Sequence, residues 1–270
     1  MNIAFRPDTP LVLRRDEAGI AYLTLNRPDA RNVLSEAMIE TLSFELDRIA
    51  SDPSVRVVIV AGEGPAFCAG HDLKEMSARR AASDRGRAYF TDILERCSCL
   101  MERIVRTPQP IIAAVEGVAT AAGCQLVASC DLAVAGAEAR FCTPGVHIGL
   151  FCSTPMVALS RNVSRKHAME MLLLGEMIGA ERAAEMGLVN RIVTGGEAVA
   201  EATGMARTIA QKSMVALKIG KRAFYDQLEL DLTSAYRHAA AVMVENMLAQ
   251  DAEEGIGAFL EKRRPNWQDR

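Results

Sequence analysis

Hydrophobic and polar positions recur with different periods along the chain, and each period predicts an element. Residues 11–25 form two short apolar runs around a polar turn, which predicts a β-hairpin. Across residues 38–49 the apolar side chains follow a helical spacing, and Ser35 stands where the N-cap of that helix is expected. Residues 57–60 are a continuous β-branched run, typical of a strand buried on both faces.

The same succession of patterns is repeated further along the chain. Residues 89–106 have a helical pattern, and the apolar runs at residues 111–115 and 132–135 predict two more strands with a short helix between them. Residues 141–148 are expected to be extended. Strands that alternate with helices at this spacing are typical of an α/β fold with a parallel sheet.

The last part of the chain has a different character. After about residue 194 no strand pattern remains, and residues 197–263 have apolar stripes with a helical period. We therefore predict two parts, an α/β core over residues 1–200 and a helical region over residues 201–270. Because this helical region is too thin to enclose a core of its own, it is expected to pack on the α/β core or on a neighbouring subunit.

Composition and charge exclude several classes of protein. The chain has 270 residues, a formal net charge of −3 and no basic cluster interleaved with aromatic residues, so no nucleic-acid partner is expected. Its seven cysteines include no CxxC pair and its four histidines are scattered, so no metal site is expected. Residues 110–137, the most apolar stretch, are interrupted by polar residues, and no membrane partner is expected. The free cysteines and the lack of a recognisable targeting signal predict a cytoplasmic protein.

Three segments rich in small residues carry the candidate chemistry. A small residue at a turn lets a ligand approach the backbone, and the first turn of a helix offers N–H groups without an internal acceptor. Two such turns that face each other would hold one carbonyl oxygen between two N–H donors, which is an oxyanion hole. The segments are GEGPAFCAGHDLKEM (residues 62–76), VEGVATAAGCQLVASCDLAVA (residues 115–135) and FCTPGVHIGL (residues 141–150).

Together with LNRPDARNVLS, GEMIGAERAAEMGLVNRIV and GIGAFLEKRRPNW, these segments resemble the enoyl-CoA hydratase/isomerase (crotonase) superfamily over nearly the whole chain. The resemblance implies a ClpP-like spiral of ββα units followed by a helical trimerisation region, in a trimer or a dimer of trimers. It implies that the ligand is an acyl-CoA thioester. No tightly bound cofactor is implied, because coenzyme A enters as part of the substrate.

The resemblance also implies the roles of individual residues. The two N–H donors of the oxyanion hole would be the backbone amides of His71 and Ala122. Lys262 would reach a CoA phosphate from a neighbouring subunit, and Arg31 would replace a lysine of relatives that is Asp29 in this chain. The residues expected to line the substrate are Ala69, Gly70, Asp72, Leu73, Gly123, Lys262 and Arg31.

The chain departs from the family pattern at two positions. Gln125 and Gly145 stand where hydratases have the two glutamates that activate water and deliver a proton. An amide does not exchange a proton near neutral pH and glycine has no side chain, so ordinary hydration is not expected. The His71 ring, the Cys152 thiol or an anion bound in the space above Gly145 could act instead. The open alternatives are an enzyme of the hydratase/isomerase type that holds an enolate, a non-catalytic acyl-CoA binder, and an oligomeric scaffold.

Overall fold

The computed structural model describes residues 10–270, in which ten strands form two sheets. The strands are β1 (Val12–Glu17), β2 (Ile20–Leu25), β3 (Val57–Gly62), β4 (Ala66–Cys68), β5 (Ile111–Val115), β6 (Val118–Thr120), β7 (Leu132–Gly136), β8 (Arg140–Cys142), β9 (Ile178–Gly179) and β10 (Arg191–Val193). The helices are α1 (Glu36–Ala50), α2 (Leu73–Ala78), α3 (Arg87–Arg106), α4 (Ala122–Ser129), α5 (Ser153–Asn162), α6 (Arg165–Leu174), α7 (Ala180–Glu185), α8 (Ala198–Ala210), α9 (Met214–Gln227), α10 (Leu232–Met247) and α11 (Gln250–Leu260).

The two sheets are built in alternation as the chain advances. The six-stranded sheet has the order β1-β2-β3-β5-β7-β10, and the four-stranded sheet has the order β4-β6-β8-β9. From β3 to β8, each repeat gives its first strand to the larger sheet and its second strand to the smaller one, and a helix then returns the chain. All strand pairs are parallel except the β1–β2 hairpin and the β8–β9 pair. The result is a spiral of ββα units.

The central strands of the larger sheet are buried on both faces, as their β-branched and small residues predict. Every residue of Val57–Val60 and Ile111–Val115 is at most 2% exposed. One face packs into the main apolar core with α1 and α3, whereas the other packs against Ala198, Ala202 and Ala206 of α8. Covering both faces with helices removes the apolar strands from water, which is the usual arrangement for parallel sheets.

Most of the elements predicted from the sequence are confirmed. The hairpin forms, and the Ser35 hydroxyl accepts a hydrogen bond of 3.2 Å from the Met38 amide at the start of α1. The extended conformation expected for residues 141–148 is wrong, because β8 ends at Cys142 and Pro144–Ile148 form a 3-10 helix. Proline has a φ suited to the first turn of a helix, and Gly149 ends this turn at φ +76.

The predicted division at residue 200 falls inside α8. Since α8 packs against the larger sheet, the helices that stand apart from the sheets begin with α9. A buried network attaches α9 to the core: Lys221 Nζ lies 2.7 Å from Asp131 Oδ2 and donates to the Gln109 carbonyl, and the Tyr225 hydroxyl donates to Asp131 Oδ1 at 2.9 Å. Burial lowers the pKa of Lys221, and the Asp131 carboxylate opposes that shift.

The last two helices leave a large apolar surface uncovered in a single chain. Leu232, Tyr236 and Phe259 are 75%, 73% and 82% exposed. Such a continuous apolar surface is typical of a protein interface. Within residues 10–270 no helix is long and apolar enough to cross a membrane, and no cluster of three side chains suitable for a metal occurs there.

Candidate active site

The two small-residue turns meet because two neighbouring strands end at the same edge of the smaller sheet. Strands β4 and β6 are parallel, with Ala66 opposite Val118 and Cys68 opposite Ala119. Beyond β4 the chain passes through His71 into α2, and beyond β6 it turns at Ala121 into α4. Parallel pairing therefore brings segments that are fifty residues apart in sequence to one place.

The contact between the turns depends on the absence of side-chain atoms. Gly70 has φ +88, and a Cβ there would lie 3.0 Å from Ala121 Cβ and 3.4 Å from the Ala122 nitrogen. The Thr120 hydroxyl donates a hydrogen bond of 3.0 Å to the Ala69 carbonyl and joins the turns directly. The turn that precedes His71 is therefore packed against the amide of Ala122.

Both candidate N–H groups are free to donate. Within residues 10–270, no backbone or side-chain acceptor takes a hydrogen bond from the N–H of His71 or of Ala122, the first residue of α4. The flanking peptides are held, since the Ala121 amide donates to the Cys142 carbonyl at 2.9 Å and the Leu34 amide donates to the Gly70 carbonyl at 2.7 Å. Free donors on a fixed backbone are what an oxyanion hole requires.

The amides lie deep in the molecule. Ala122 is 1% exposed, whereas Ala69, His71 and Ala121 are half-buried. The role of His71 and Ala122 as donors to a thioester remains a prediction, and the geometry supplies the fixed, unpaired amides that it needs.

Ala121 adopts a strained conformation that sequence reasoning missed. Its φ of 49° and ψ of −118° lie in a region that glycine, and rarely alanine, occupies. Such a residue costs about 1–3 kcal/mol and persists only where the surrounding contacts fix it. Because no pattern in the chain marks an alanine for positive φ, only the structure could identify it. The strain sets the direction in which α4 starts and thus the direction of the Ala122 N–H.

The His71 ring is buried beside the turns. Neither of its ring nitrogen atoms has a hydrogen-bond partner among the described residues. Burial lowers the pKa of His71 from its usual 6.5, and the nearby Leu34 carbonyl only partly opposes the shift. The ring is therefore neutral at pH 7, and protonating it in the folded protein is unfavourable.

Of the residues expected to line the substrate, several have structural tasks at the turns. The Asp72 carboxylate caps α2 by accepting from the Lys74 amide at 3.0 Å, and Arg27 lies 3.3 Å from it. A Cβ on Gly123 would lie 2.1 Å from the Cys68 carbonyl oxygen, so glycine is needed for α4 to pack on β4. Leu73 is exposed at the start of α2.

Arg31 and Lys262 stand in different places relative to the turns. The Arg31 carbonyl accepts from the Ala69 amide at 3.0 Å, and its exposed side chain thus starts beside the site. Lys262 follows α11, which packs on α9 and α10. No hydrogen bond or ion pair within residues 10–270 joins its side chain to the turns, so its role in CoA binding, from a neighbouring subunit, remains a prediction.

Gln125 is buried in α4, one helical turn after Ala121. It is 3% exposed, and its Oε1 atom has no hydrogen-bond partner among the described residues. A buried amide oxygen without a partner is costly and is uncommon in native proteins. Gln125 thus keeps a polar, non-titrating atom where the family pattern has a carboxylate.

The immediate surroundings of Gly145 are crowded. A Cβ on Gly145 would lie 2.9 Å from Cys152 Sγ and 3.0 Å from the Leu150 carbonyl oxygen. A side chain at this position would therefore meet the Cys152 sulfur and the backbone at Leu150, and an anion bound above Gly145 stays a prediction. Burial raises the pKa of Cys152 above its usual value, so this thiol is protonated at pH 7.

Comparisons with known proteins agree with this fold. A profile of the enoyl-CoA hydratase/isomerase family matches residues 15–270. A rat protein named enoyl-CoA hydratase domain-containing protein 3, mitochondrial, is 46% identical over 257 residues, or 95% of this chain and 84% of that protein. The chain therefore belongs to the enoyl-CoA hydratase/isomerase family, whose members act in acyl-CoA metabolism.

Solved structures are similar over almost the whole chain. An enoyl-CoA hydratase from Mycobacterium smegmatis is 52% identical, with a TM-score of 0.91 over 96% of this chain and 99% of its own. The human enoyl-CoA hydratase domain-containing protein 3 is 44% identical, with a TM-score of 0.90 over 96% of this chain and 100% of its own. The expected fold class, an α/β crotonase spiral with C-terminal helices, is confirmed.

One expectation from the sequence is overturned by the comparisons. The cytoplasmic location is contradicted, because the rat relative and its frog and human counterparts, each aligned with more than nine-tenths of this chain, are all named as mitochondrial proteins.

Proposed function

We propose that this chain binds acyl-CoA thioesters and stabilises the enolate of the bound thioester, and that hydration of enoyl-CoA is not its principal reaction. The observation that carries the proposal is that the amides of His71 and Ala122, on two turns that are packed together, have no acceptor within residues 10–270. Coenzyme A enters as part of the substrate, with no separate cofactor.

Two fixed N–H donors suit the chemistry of a thioester. When the α-proton leaves, negative charge moves to the carbonyl oxygen, and the donors stabilise that charge more strongly than the neutral carbonyl. In hydrolases one such donor contributes roughly 3–4 kcal/mol to transition-state stabilisation. The reaction that needs no activated water, and therefore fits best, is isomerisation or exchange at the α-carbon.

The surroundings of the hole argue against rapid hydration. Gln125 cannot act as a base and the Cys152 thiol is protonated, which leaves the neutral His71 ring, whose pKa is lowered by burial, as the group beside the turns that can accept the α-proton. A second candidate function, acyl-CoA binding without turnover, is favoured by the same groups, because the site then needs no acid or base.

Incubation of the protein in D2O with a panel of acyl-CoA thioesters distinguishes the two functions. We expect deuterium at the α-carbon, measured by mass spectrometry, together with a rise in melting temperature at micromolar ligand. A rise in melting temperature without deuterium uptake would assign the protein as a binder. The absence of both, across short and long acyl chains, would contradict the proposal.

The missing carboxylates can be restored as a sharper test. A Q125E/G145E/C152A variant supplies both glutamates and removes the sulfur atom that would lie 2.9 Å from the new Cβ. We expect this variant to hydrate crotonyl-CoA far faster than a Q125E/C152A control. A folded triple variant as slow as the control would show that the hole is not placed for water addition.

We further propose that the chain assembles as a trimer or a dimer of trimers through its C-terminal helices. The exposed apolar side chains of α10 and α11 support this, because their burial between subunits would remove a large apolar surface from water. Light scattering should give three or six times the 29.2 kDa mass of one chain. A monomer at micromolar concentration would contradict the assembly.

A further inference from the structure

The connection between α2 and α3 carries positive charge that the proposed reaction does not use. Residues 79–87, with the sequence RRAASDRGR, contain four arginines and one aspartate. Within residues 10–270 none of these arginines makes an ion pair, although arginines on either side of the segment, such as Arg27 and Arg96, do. An unpaired cluster of this density is available to an anion from outside the chain.

The one acidic residue of the segment does not neutralise the cluster. The Asp84 carboxylate accepts hydrogen bonds from the Gly86 amide at 2.9 Å and the Ala88 amide at 2.8 Å, and so begins α3. Its two oxygen atoms are used by the backbone. With four arginines against one aspartate, the segment keeps an excess of three positive charges, although Asp84 lines the same surface.

Three of these arginines, Arg80, Arg85 and Arg87, line an open cavity of about 460 Å³ together with Asp84, here called the arginine cavity. Phe90 and Leu94 of α3 also line it, and Leu94 packs against the main apolar core. The Arg80 guanidinium stands 5.3 Å from the centre of the Phe90 ring, which holds it at the rim. The lining thus combines half-buried apolar side chains of α3 with exposed arginines and the Asp84 carboxylate.

A ligand that matches this lining has an apolar stem and an anionic end. We propose that the arginine cavity binds a carboxylate at the far end of an acyl chain, an inference that rests on the thioester-binding function proposed above. Arginine forms paired hydrogen bonds with a carboxylate, and the methylene groups of the chain would lie against Phe90 and Leu94.

Along the chain, the arginine cavity lies one short helix beyond the turn at His71. His71 is followed directly by α2, a helix of six residues that spans about 9 Å, and the arginines come in the turns after it. The inference requires an acyl chain of medium length that runs alongside α2 towards an extended arginine side chain. The preferred substrates would therefore be CoA thioesters of dicarboxylic acids.

The test compares two thioesters that differ only at the far end of the chain. Hexanoyl-CoA and adipoyl-CoA have the same number of acyl carbons, and only adipoyl-CoA carries a terminal carboxylate. We expect the wild-type protein to bind adipoyl-CoA about tenfold more tightly, since one charge-assisted interaction is worth about that factor. In an R80Q/R85Q/R87Q variant that preference should disappear, while the dissociation constant for hexanoyl-CoA stays within about twofold.

A matched variant controls for the loss of three positive charges. R106Q/R165Q/R222Q removes three exposed arginines that do not line the arginine cavity and should keep the preference for adipoyl-CoA. The arginine-cavity variant should also keep its melting temperature, because its three side chains are exposed.

The results that would overturn the inference differ from those that would overturn the proposed function. An undiminished preference for adipoyl-CoA in the R80Q/R85Q/R87Q variant excludes the arginine cavity. Equal weakening of both thioesters, relieved when the 3′-dephospho forms are used, assigns the arginines to the nucleotide phosphate and also overturns it. If neither thioester binds to the wild-type protein, the proposed function itself fails and the inference fails with it.

Discussion

Substitution of Gly70 by alanine tests whether the close packing of the two turns creates the site. Alanine at φ +88 costs about 1–2 kcal/mol in backbone energy. Its Cβ would also lie 3.0 Å from Ala121 Cβ and 3.1 Å from the Thr120 carbonyl oxygen, so the turns must separate by a few tenths of an ångström. Reduced freedom of the unfolded chain offsets about 0.4–1 kcal/mol.

The net destabilisation of Gly70→Ala should therefore be about 1–2 kcal/mol, or roughly 2–6 °C in melting temperature for a chain of this size. The loss of activity should be larger than the loss of stability. Displacement of one donor of an oxyanion hole costs about 10²–10³-fold in rate. We expect α-proton exchange at saturating thioester to fall by that factor, as measured by mass spectrometry in D2O.

Gly204→Ala is the matched control for this substitution. Gly204 lies in α8, and no atom lies within 4 Å of the position that its Cβ would take. This variant should keep its exchange rate and melt at the same or a slightly higher temperature, since alanine favours helices. If Gly70→Ala exchanges the α-proton within twofold of the wild-type rate, the two turns do not form the catalytic donors.

Three further outcomes are expected. Lys221→Met leaves the Asp131 carboxylate buried without its cation and should lower the free energy of unfolding, measured in urea, by about 3–5 kcal/mol. The control Arg222→Met, at a side chain that is 86% exposed, should change it by less than about 0.5 kcal/mol, and equal effects of the two substitutions would refute the buried network. Because burial lowers the pKa of His71 in the folded protein, the unfolded chain binds the proton more readily as the pH falls below 6.5, and the melting temperature of the wild-type protein should fall there. His71→Gln should reduce this fall, and identical pH profiles of the two proteins would contradict the argument. Thr120→Val removes the hydroxyl that joins the turns and should lower the free energy of unfolding by about 1 kcal/mol and the rate of α-proton exchange several-fold. An unchanged exchange rate would show that the turns need no such link.

The sequence by itself determined the alternation of strands and helices and the places where the backbone must be approached closely. Periodicity sufficed for these features because a helix or strand exposes its apolar side chains at a spacing that only its own local geometry sets. The small residues at Gly70, Ala121 and Gly123 similarly marked the turns, and the buried run at residues 57–60 marked a central strand. These are local properties of the chain.

The tertiary structure alone decided which of these local features meet. The parallel pairing of β4 with β6 brings Gly70 against Ala122, Cys152 fills the space beside Gly145, and α8 crosses the division expected at residue 200 to cover the larger sheet. Each of these facts depends on contacts between residues far apart in sequence, which no local period encodes. The strain at Ala121 is of the same kind, because a backbone conformation that alanine rarely adopts is held only by packing and hydrogen bonds from other parts of the fold.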